Sequence, residues 1–221
     1  SRSDNLVSIK NNISEIASKG VKEVILTGVN IGDYGKGEFG NKKHNSTFFD
    51  VIKELDNSNV IKRFRISSIE PNLLKNNIID FISSSKLFVP HFHIPLQSGS
   101  DKILGLMKRR YRKELYRDRV DYINKNISDV CIGVDVIVGF PGESDKDFND
   151  TIELIKNVEY AQSYSFKYSK RPGTPASILE QQIPETIKKK RLSVLQEVLF
   201  SQQRKFNLKF VLMKKKYNLA I

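Results

Sequence analysis

Five short apolar runs, each closed by polar or glycine residues and separated by helix-patterned sequence, constrain this chain more than anything else in it. They are Val24-Ile25-Leu26-Thr27, Ile61 to Ser68, Phe88 to Leu96, Val130 to Val138 and Ser163 to Tyr168. The strongest, Val130 to Val138, is apolar at successive rather than strictly alternate positions. Such strands are buried on both faces, as in a parallel sheet covered by helices. The intervening segments carry helix signals. Ser3 precedes Leu6, Ile9, Ile13 and Ile16 at helical spacing, and Gly20 stops that pattern. Ser46 caps a helix over 47–55, Ser100 one over 101–107, and further helices are predicted over 73–84 and 113–125. Ser144 caps the next helix, with Asp147 at the acid position of a capping box. A last helix begins near Pro184-Glu185 and runs past Arg204, where a Lys-rich tail is expected. The resulting order, α-β-α-β-α-β-α-α-β-α-β-α, predicts an α/β fold. By itself it leaves open whether the sheet is doubly wound or closed into a barrel.

A length of 221 residues suits one full domain or a large incomplete one. The single cysteine, Cys131, excludes a disulfide scaffold. No run approaches the roughly 18 apolar residues of a transmembrane helix, and no signal peptide is evident. These features point to the cytoplasm and away from membranes. Lys and Arg number 37 against 25 Asp and Glu, a net charge of +12, which favours a polyanionic partner such as nucleic acid. The excess concentrates in Lys102 to Arg119 and in the C-terminal stretch from Lys188 to Lys216.

Ligands of parallel α/β folds sit at the C-terminal ends of the strands. Here those ends read Thr27-Gly28-Val29-Asn30, Ser67-Ser68-Ile69-Glu70, Gln97-Ser98-Gly99, Gly139-Phe140-Pro141-Gly142-Glu143 and Ser169-Lys170-Arg171. Alternation puts Gly133, Asp135, Ile137 and Gly139 on one face of the fourth strand. Asp135 there is either a ligand contact or half of a core ion pair. His91 and His93 share a face, but a zinc site needs further ligands, and hydrogen-bonded interior histidines are the better reading. Cys131 reads as a small buried apolar residue. Gly35-x-Gly37-x-x-Gly40 has dinucleotide-loop spacing but lies ten residues past its strand, so it is not taken as a fingerprint.

Five co-linear blocks carry a resemblance: Leu26 to Gly32, Arg65 to Pro71, His91 to Ser100, Asp135 to Glu143 and Tyr168 to Ala176. Over roughly residues 1–205 the chain resembles the radical SAM core of the methylthiotransferases. The His-Phe-His-Ile-Pro-Leu-Gln-Ser-Gly and Leu-Thr-Gly-Val-Asn forms resemble the MtaB-type tRNA branch. That resemblance implies a partial TIM-like (β/α) radical SAM barrel, S-adenosylmethionine and two [4Fe–4S] clusters. The reaction it implies is methylthiolation of C2 of N6-threonylcarbamoyladenosine at position 37 of tRNA, with tRNA as partner and an unidentified sulfur donor. The family's CxxxCxxC cluster loop is absent, and Ser1-Arg2-Ser3 looks like the stretch that follows it. The expectation is therefore a core, residues 1–182, lacking its first strand and cluster loop. A basic helix and tail, 183–221, would lead toward an RNA-binding TRAM domain.

Carried over block by block, the resemblance assigns Gly28 and Asn30 to the methionine amino group of S-adenosylmethionine. Ser67, Ser68 and Glu70 go to its ribose and carboxylate, and Gln97 and Ser98 line the same pocket. Asp135 and Gly139 back the adenine, and Arg171 faces the substrate. No metal ligand is assigned, because one cysteine cannot supply the three thiolates of a site-differentiated cluster. Two functional classes follow: a methylthiotransferase whose 221-residue piece alone has no radical activity, or a cluster-free domain that binds S-adenosylmethionine or RNA without catalysis.

Overall fold

The computed structural model describes residues 3–37 and 43–212. Ser1, Arg2, Gly40 and the Lys214–Lys216 part of the basic tail lie outside the described residues. The chain forms two compact units, one from residues 1–94 with 121–130, the other from 95–120 with 131–221.

The first unit contains helix α1 (Leu6–Ser18), strand β1 (Glu23–Leu26), helix α2 (Phe48–Ser58), strand β2 (Arg63–Ile66), helix α3 (Asn76–Ser84) and strand β3 (His91–His93). β1 and β2 are parallel, with Glu23 opposite Arg63 and Leu26 opposite Ile66. Parallel bridges Phe64–Phe88 and Ser68–His93 join the 88–93 segment to the far side of β2. The face with Phe64 and Ile66 is buried with Val51, Ile52 and Leu55 of α2 and Ile78, Ile79 and Ile82 of α3 in the same core. Phe64 and Phe88 stack at 5.2 Å between ring centroids. The opposite face carries Glu23 between Arg63 (2.6 Å) and Arg65 (2.9 Å). Burial alone would raise the Glu23 pKa, but hydrogen bonds and charge from the two arginines outweigh it and lower it.

The second unit contains helix α4 (Asp101–Leu106), strand β4 (Cys131–Val138), helix α6 (Asp145–Lys156), strand β5 (Gln162–Lys167) and helix α7 (Glu185–Leu212). Helix α5 (Lys113–Asn126) contributes residues to both units. β4 and β5 are parallel from Gly133–Gln162 to Val138–Lys167, and Gln97 bridges to Val136. Ile132, Val134, Val136 and Val138 are buried, in one core with Phe148, Ile152 and Ile155 of α6 and Leu195 and Leu199 of α7. Gly99 permits close helix approach: a Cβ there would lie 2.5 Å from the Thr151 backbone. Tyr116 and Tyr160 are fully buried and hydrogen-bond each other through their hydroxyls at 3.0 Å. Burial raises both phenols above their ordinary pKa; the neighbouring Tyr160 raises Tyr116 further, whereas the hydrogen bond with Tyr116 only partly offsets burial at Tyr160.

Two expected caps move. α1 is capped by Asn5, whose side chain accepts the Ser8 N–H, while the Ser3 hydroxyl accepts the Gly35 N–H. α2 is capped by Thr47, not Ser46, in a capping box closed by Asp50. In both cases the residue nearest the first helical turn wins, because a cap must reach the N2 or N3 amide. The expected Lys-rich tail from 205 is helical as far as Leu212, the last turns of α7.

Candidate functional site

In the first unit, the segment following β1 is the most open strand end. Gly28, Val29 and Asn30 are exposed, Val29 almost completely at 99%. Among the described residues their amides make no hydrogen bond. They line a cavity of about 590 Å³ with Leu26, Asp33 and Tyr34, within the size range of small-molecule sites. A short 3-10 turn, Ile31–Asp33, closes the segment; Asp33 is buried and pairs with Lys36. The Tyr34 hydroxyl donates to the Asp4 carbonyl at 2.6 Å, and His44 Nε2 lies 3.0 Å from the Ser3 carbonyl. The residues that open the described chain are thus tied to the loop after β1. Burial, then the Asp4 charge, raises the Tyr34 pKa. Sequence reasoning missed Asp33 and Tyr34, which directly follow the block that ends at Gly32. Ser67, Ser68 and Glu70 follow β2 and are half-buried. Ser67 donates its N–H to the Leu26 carbonyl, and the Glu70 carbonyl receives the amides of Leu73 and Leu74. The five residues expected at these two strand ends therefore fall in one unit.

In the second unit, Gln97 is the most informative of the expected residues. It is 7% exposed and has a φ of 65°, a left-handed conformation that costs a non-glycine residue energy. Its main chain is held on β4, the N–H donating to the Asp135 carbonyl and its carbonyl accepting the Ile137 N–H. Its carboxamide has no hydrogen-bond partner among the described residues. Asp135 and Ile137 lie on the less buried face of β4, opposite Tyr164 and Phe166 of β5, which are 44% and 52% exposed.

Ser98 and Gly139, both expected at the cofactor pocket, make contacts within the second unit. Ser98 is fully buried; its hydroxyl lies 3.4 Å from Thr151 Oγ1 and accepts the Ser100 N–H, so it faces α6. Gly139 donates its N–H to Glu143 Oε1 at 2.9 Å, and a Cβ on it would lie 2.5 Å from Lys188 Cγ. The glycine makes room for α7. Arg191 of α7 then reaches Glu143 and Asp145, each at 2.7 Å. Desolvation raises the Glu143 pKa against the opposing Gly139 N–H and Arg191 charge. Asp147 goes the other way. Burial would raise it, but bonds from Ser100, Ser144 and Lys102 outweigh burial and lower it strongly.

Arg171 is exposed and lines a second cavity of about 610 Å³ with Lys108, Ile137, Phe140, Phe166 and Tyr168. Among the described residues no group of three or more His, Cys, Asp or Glu is placed to hold a metal ion. None of their helices is long and apolar enough to cross a membrane.

The chain is similar to curated proteins named tRNA-2-methylthio-N(6)-dimethylallyladenosine synthase. The protein from Orientia tsutsugamushi (strain Ikeda) is 42% identical over 200 residues, which is 90% of this chain and 44% of that protein. Those from Rickettsia rickettsii (strain Sheila Smith) and Clostridium botulinum (strain Hall) are 40% and 41% identical, covering 87% and 86% of this chain and 43% and 42% of theirs. The chain thus spans less than half the length of these relatives. Among solved structures, Escherichia coli coproporphyrinogen III oxidase (HemN), a radical SAM enzyme, matches 70% of this chain and 37% of its own with a TM-score of 0.57 at 14% identity. The radical S-adenosylmethionine methyltransferase TsrM from Kitasatospora setae matches 79% of this chain and 33% of its own, with a TM-score of 0.61 at 13% identity. They share the fold, an α/β architecture of parallel strands consistent with a partial TIM-like radical SAM barrel. The family model described as the radical SAM superfamily matches residues 1–155; with that match over more than half its length, the chain belongs to the radical SAM superfamily.

Proposed function

We propose that this chain is the S-adenosylmethionine-binding core of a cytoplasmic tRNA methylthiotransferase. The reaction is addition of a methylthio group to C2 of N6-threonylcarbamoyladenosine at position 37 of the anticodon loop. The observation that carries the methylthiotransferase reading is the identity of 40–42% to relatives named for tRNA methylthiolation. The threonylcarbamoyl group is favoured by the Leu26-to-Asn30 and His91-to-Gly99 blocks and by exposed Arg171, a guanidinium suited to a carboxylate.

Radical SAM enzymes use S-adenosylmethionine with a [4Fe–4S] cluster. The residues present do not fit a cluster: the sequence has one cysteine, and the described residues offer no metal-binding group. They do fit S-adenosylmethionine. The open backbone of Gly28 to Asn30 and the Ser67, Ser68 and Glu70 side chains, all of the first unit, supply donors and acceptors for its polar ends. S-adenosylmethionine would supply the radical chemistry of the superfamily, and these residues would bind and orient it. The basic Lys102-to-Arg119 segment and α7 are the RNA-facing surfaces in this reading.

A second substrate reading, N6-dimethylallyladenosine, is favoured by the names of the relatives. The test is mass spectrometry of tRNA nucleosides from a methylthiotransferase-deficient host expressing the complete gene. The 2-methylthio derivative of threonylcarbamoyladenosine is the expected product. The dimethylallyl product would transfer the proposal to the second substrate. Neither product would overturn the enzymatic reading and leave a binding role for S-adenosylmethionine or RNA.

A further inference from the structure

We propose that Lys108 binds the phosphate of a single nucleotide seated in the cavity of the second unit. It does so from a backbone position that is unfavourable for lysine. The inference rests on the RNA-substrate reading above and names a contact within it.

α4 ends in a Schellman motif. The Lys108 N–H donates to the Gly105 carbonyl at 3.0 Å and the Arg109 N–H to the Leu104 carbonyl at 2.9 Å. This places Lys108 at the position after the cap, with a φ of 55°. Glycine is the usual residue there because a Cβ is strained in the left-handed region. Lysine has no local reason to occupy this turn. Its side chain forms no hydrogen bond or ion pair among the described residues, and neither does the Arg171 guanidinium. Nearby cations of the same unit are compensated: Lys102 pairs with Asp147, and Lys167 with Glu185. Two uncompensated cations therefore border one cavity of about 610 Å³.

The rest of the lining specifies the ligand class. Ile137, Phe140, Phe166 and Tyr168 give an apolar and aromatic wall. Phe140 and Tyr168 are packed edge to face at 5.1 Å between centroids, which fixes their orientation. An aromatic wall beside paired cations fits a base with its phosphate, since bases stack on aromatic faces whatever their sequence. A nucleoside that carries no acidic group, such as adenosine, would leave both cations unused.

The experiment compares adenosine with adenosine 5′-monophosphate, binding each to the full chain by calorimetry. Lys108→Gly and Arg171→Gln are the variants. The unaltered protein is expected to prefer the monophosphate. Lys108→Gly is expected to raise Tm by about 2–4 °C, because glycine relieves the left-handed turn. The same variant is expected to weaken monophosphate binding about three- to tenfold while leaving adenosine binding unchanged, the size of one exposed charge-assisted contact. Arg171→Gln reproduces the binding loss without the rise in Tm. An unchanged monophosphate preference in Lys108→Gly, or no preference in the unaltered protein, overturns the inference. Failure of tRNA methylthiolation in the complete protein, with the phosphate preference intact, would instead count against the proposed function alone.

Discussion

The ends of β1 and β4 carry the same kind of sequence, glycine followed by polar residues after an apolar run, and the structure uses them oppositely. After β1, Gly28, Val29 and Asn30 are exposed, and Gly28 lacks any close packing: a Cβ there meets only Ile31 at ordinary distances of 3.5–3.6 Å. After β4, almost every polar group is consumed internally. Gly139 and Arg191 hold Glu143, and Ser100, Ser144 and Lys102 hold Asp147. Lys188 covers Gly139 and donates to the Tyr168 carbonyl at 3.2 Å. A glycine-rich strand end is thus either left open to solvent or used as a seat for a helix. Only the neighbours distinguish the two, because the requirement for a missing Cβ is common to both.

This contrast predicts that substitutions after β4 act on stability and substitutions after β1 act on binding. The largest effect is expected for Arg191→Ala. It leaves Glu143, whose side chain is 1% exposed, buried without its cation. Breaking a buried pair by removing one partner costs about 3–5 kcal/mol, read as a shift in the urea midpoint. A loss below about 1 kcal/mol would mean that α7 does not depend on this seat.

Asp147→Asn is next, at about 2 kcal/mol, the scale of charge-assisted bonds from Ser100, Ser144 and Lys102. Its pH dependence has a definite sign. The folded pKa of Asp147 lies below the unfolded one, so its contribution is full above the ordinary aspartate range and is lost as pH falls through and below it. Stability of the unaltered protein should therefore decline on acidification from about pH 5 to about pH 3, and Asp147→Asn should flatten that decline. Denaturation curves at several pH values that fall in parallel would refute this.

The smallest stability effect is expected for Asn30→Ala. Asn30 is exposed and its side chain caps nothing, so stability should stay within about 0.5 kcal/mol. Binding of S-adenosylmethionine should instead weaken about three- to tenfold, the value of one hydrogen bond. Calorimetric titration giving unchanged affinity would remove Asn30 from the proposed site.

Much of this architecture is legible locally. The βα order follows from apolar periodicity, and the Ser144–Asp147 capping box and the Ser100 cap stand where their spacing puts them. These features depend on residues within one helical turn, so short-range sequence contains the whole interaction. The open strand end at Gly28 to Asn30 and the exposure of Arg171 were readable for a related reason: each lies just after a strand, where ligands of parallel sheets gather. Burial was not legible in this way. Ser98 and Gln97 are adjacent, yet Ser98 turns toward Thr151, 53 residues later, while Gln97 takes a left-handed turn and its side-chain carboxamide has no partner among the described residues. Glu143 and Arg191 are 48 residues apart and meet only because Gly139 lets α7 approach. The strained Lys108 was visible only as one charge in a basic run until its φ showed a glycine position. Periodicity and capping thus determine which elements form, since their energies are local. Which glycine seats a helix and which stays open to solvent was decided by tertiary packing, because desolvation and the absence of a Cβ acquire their sign only from neighbours distant in the chain.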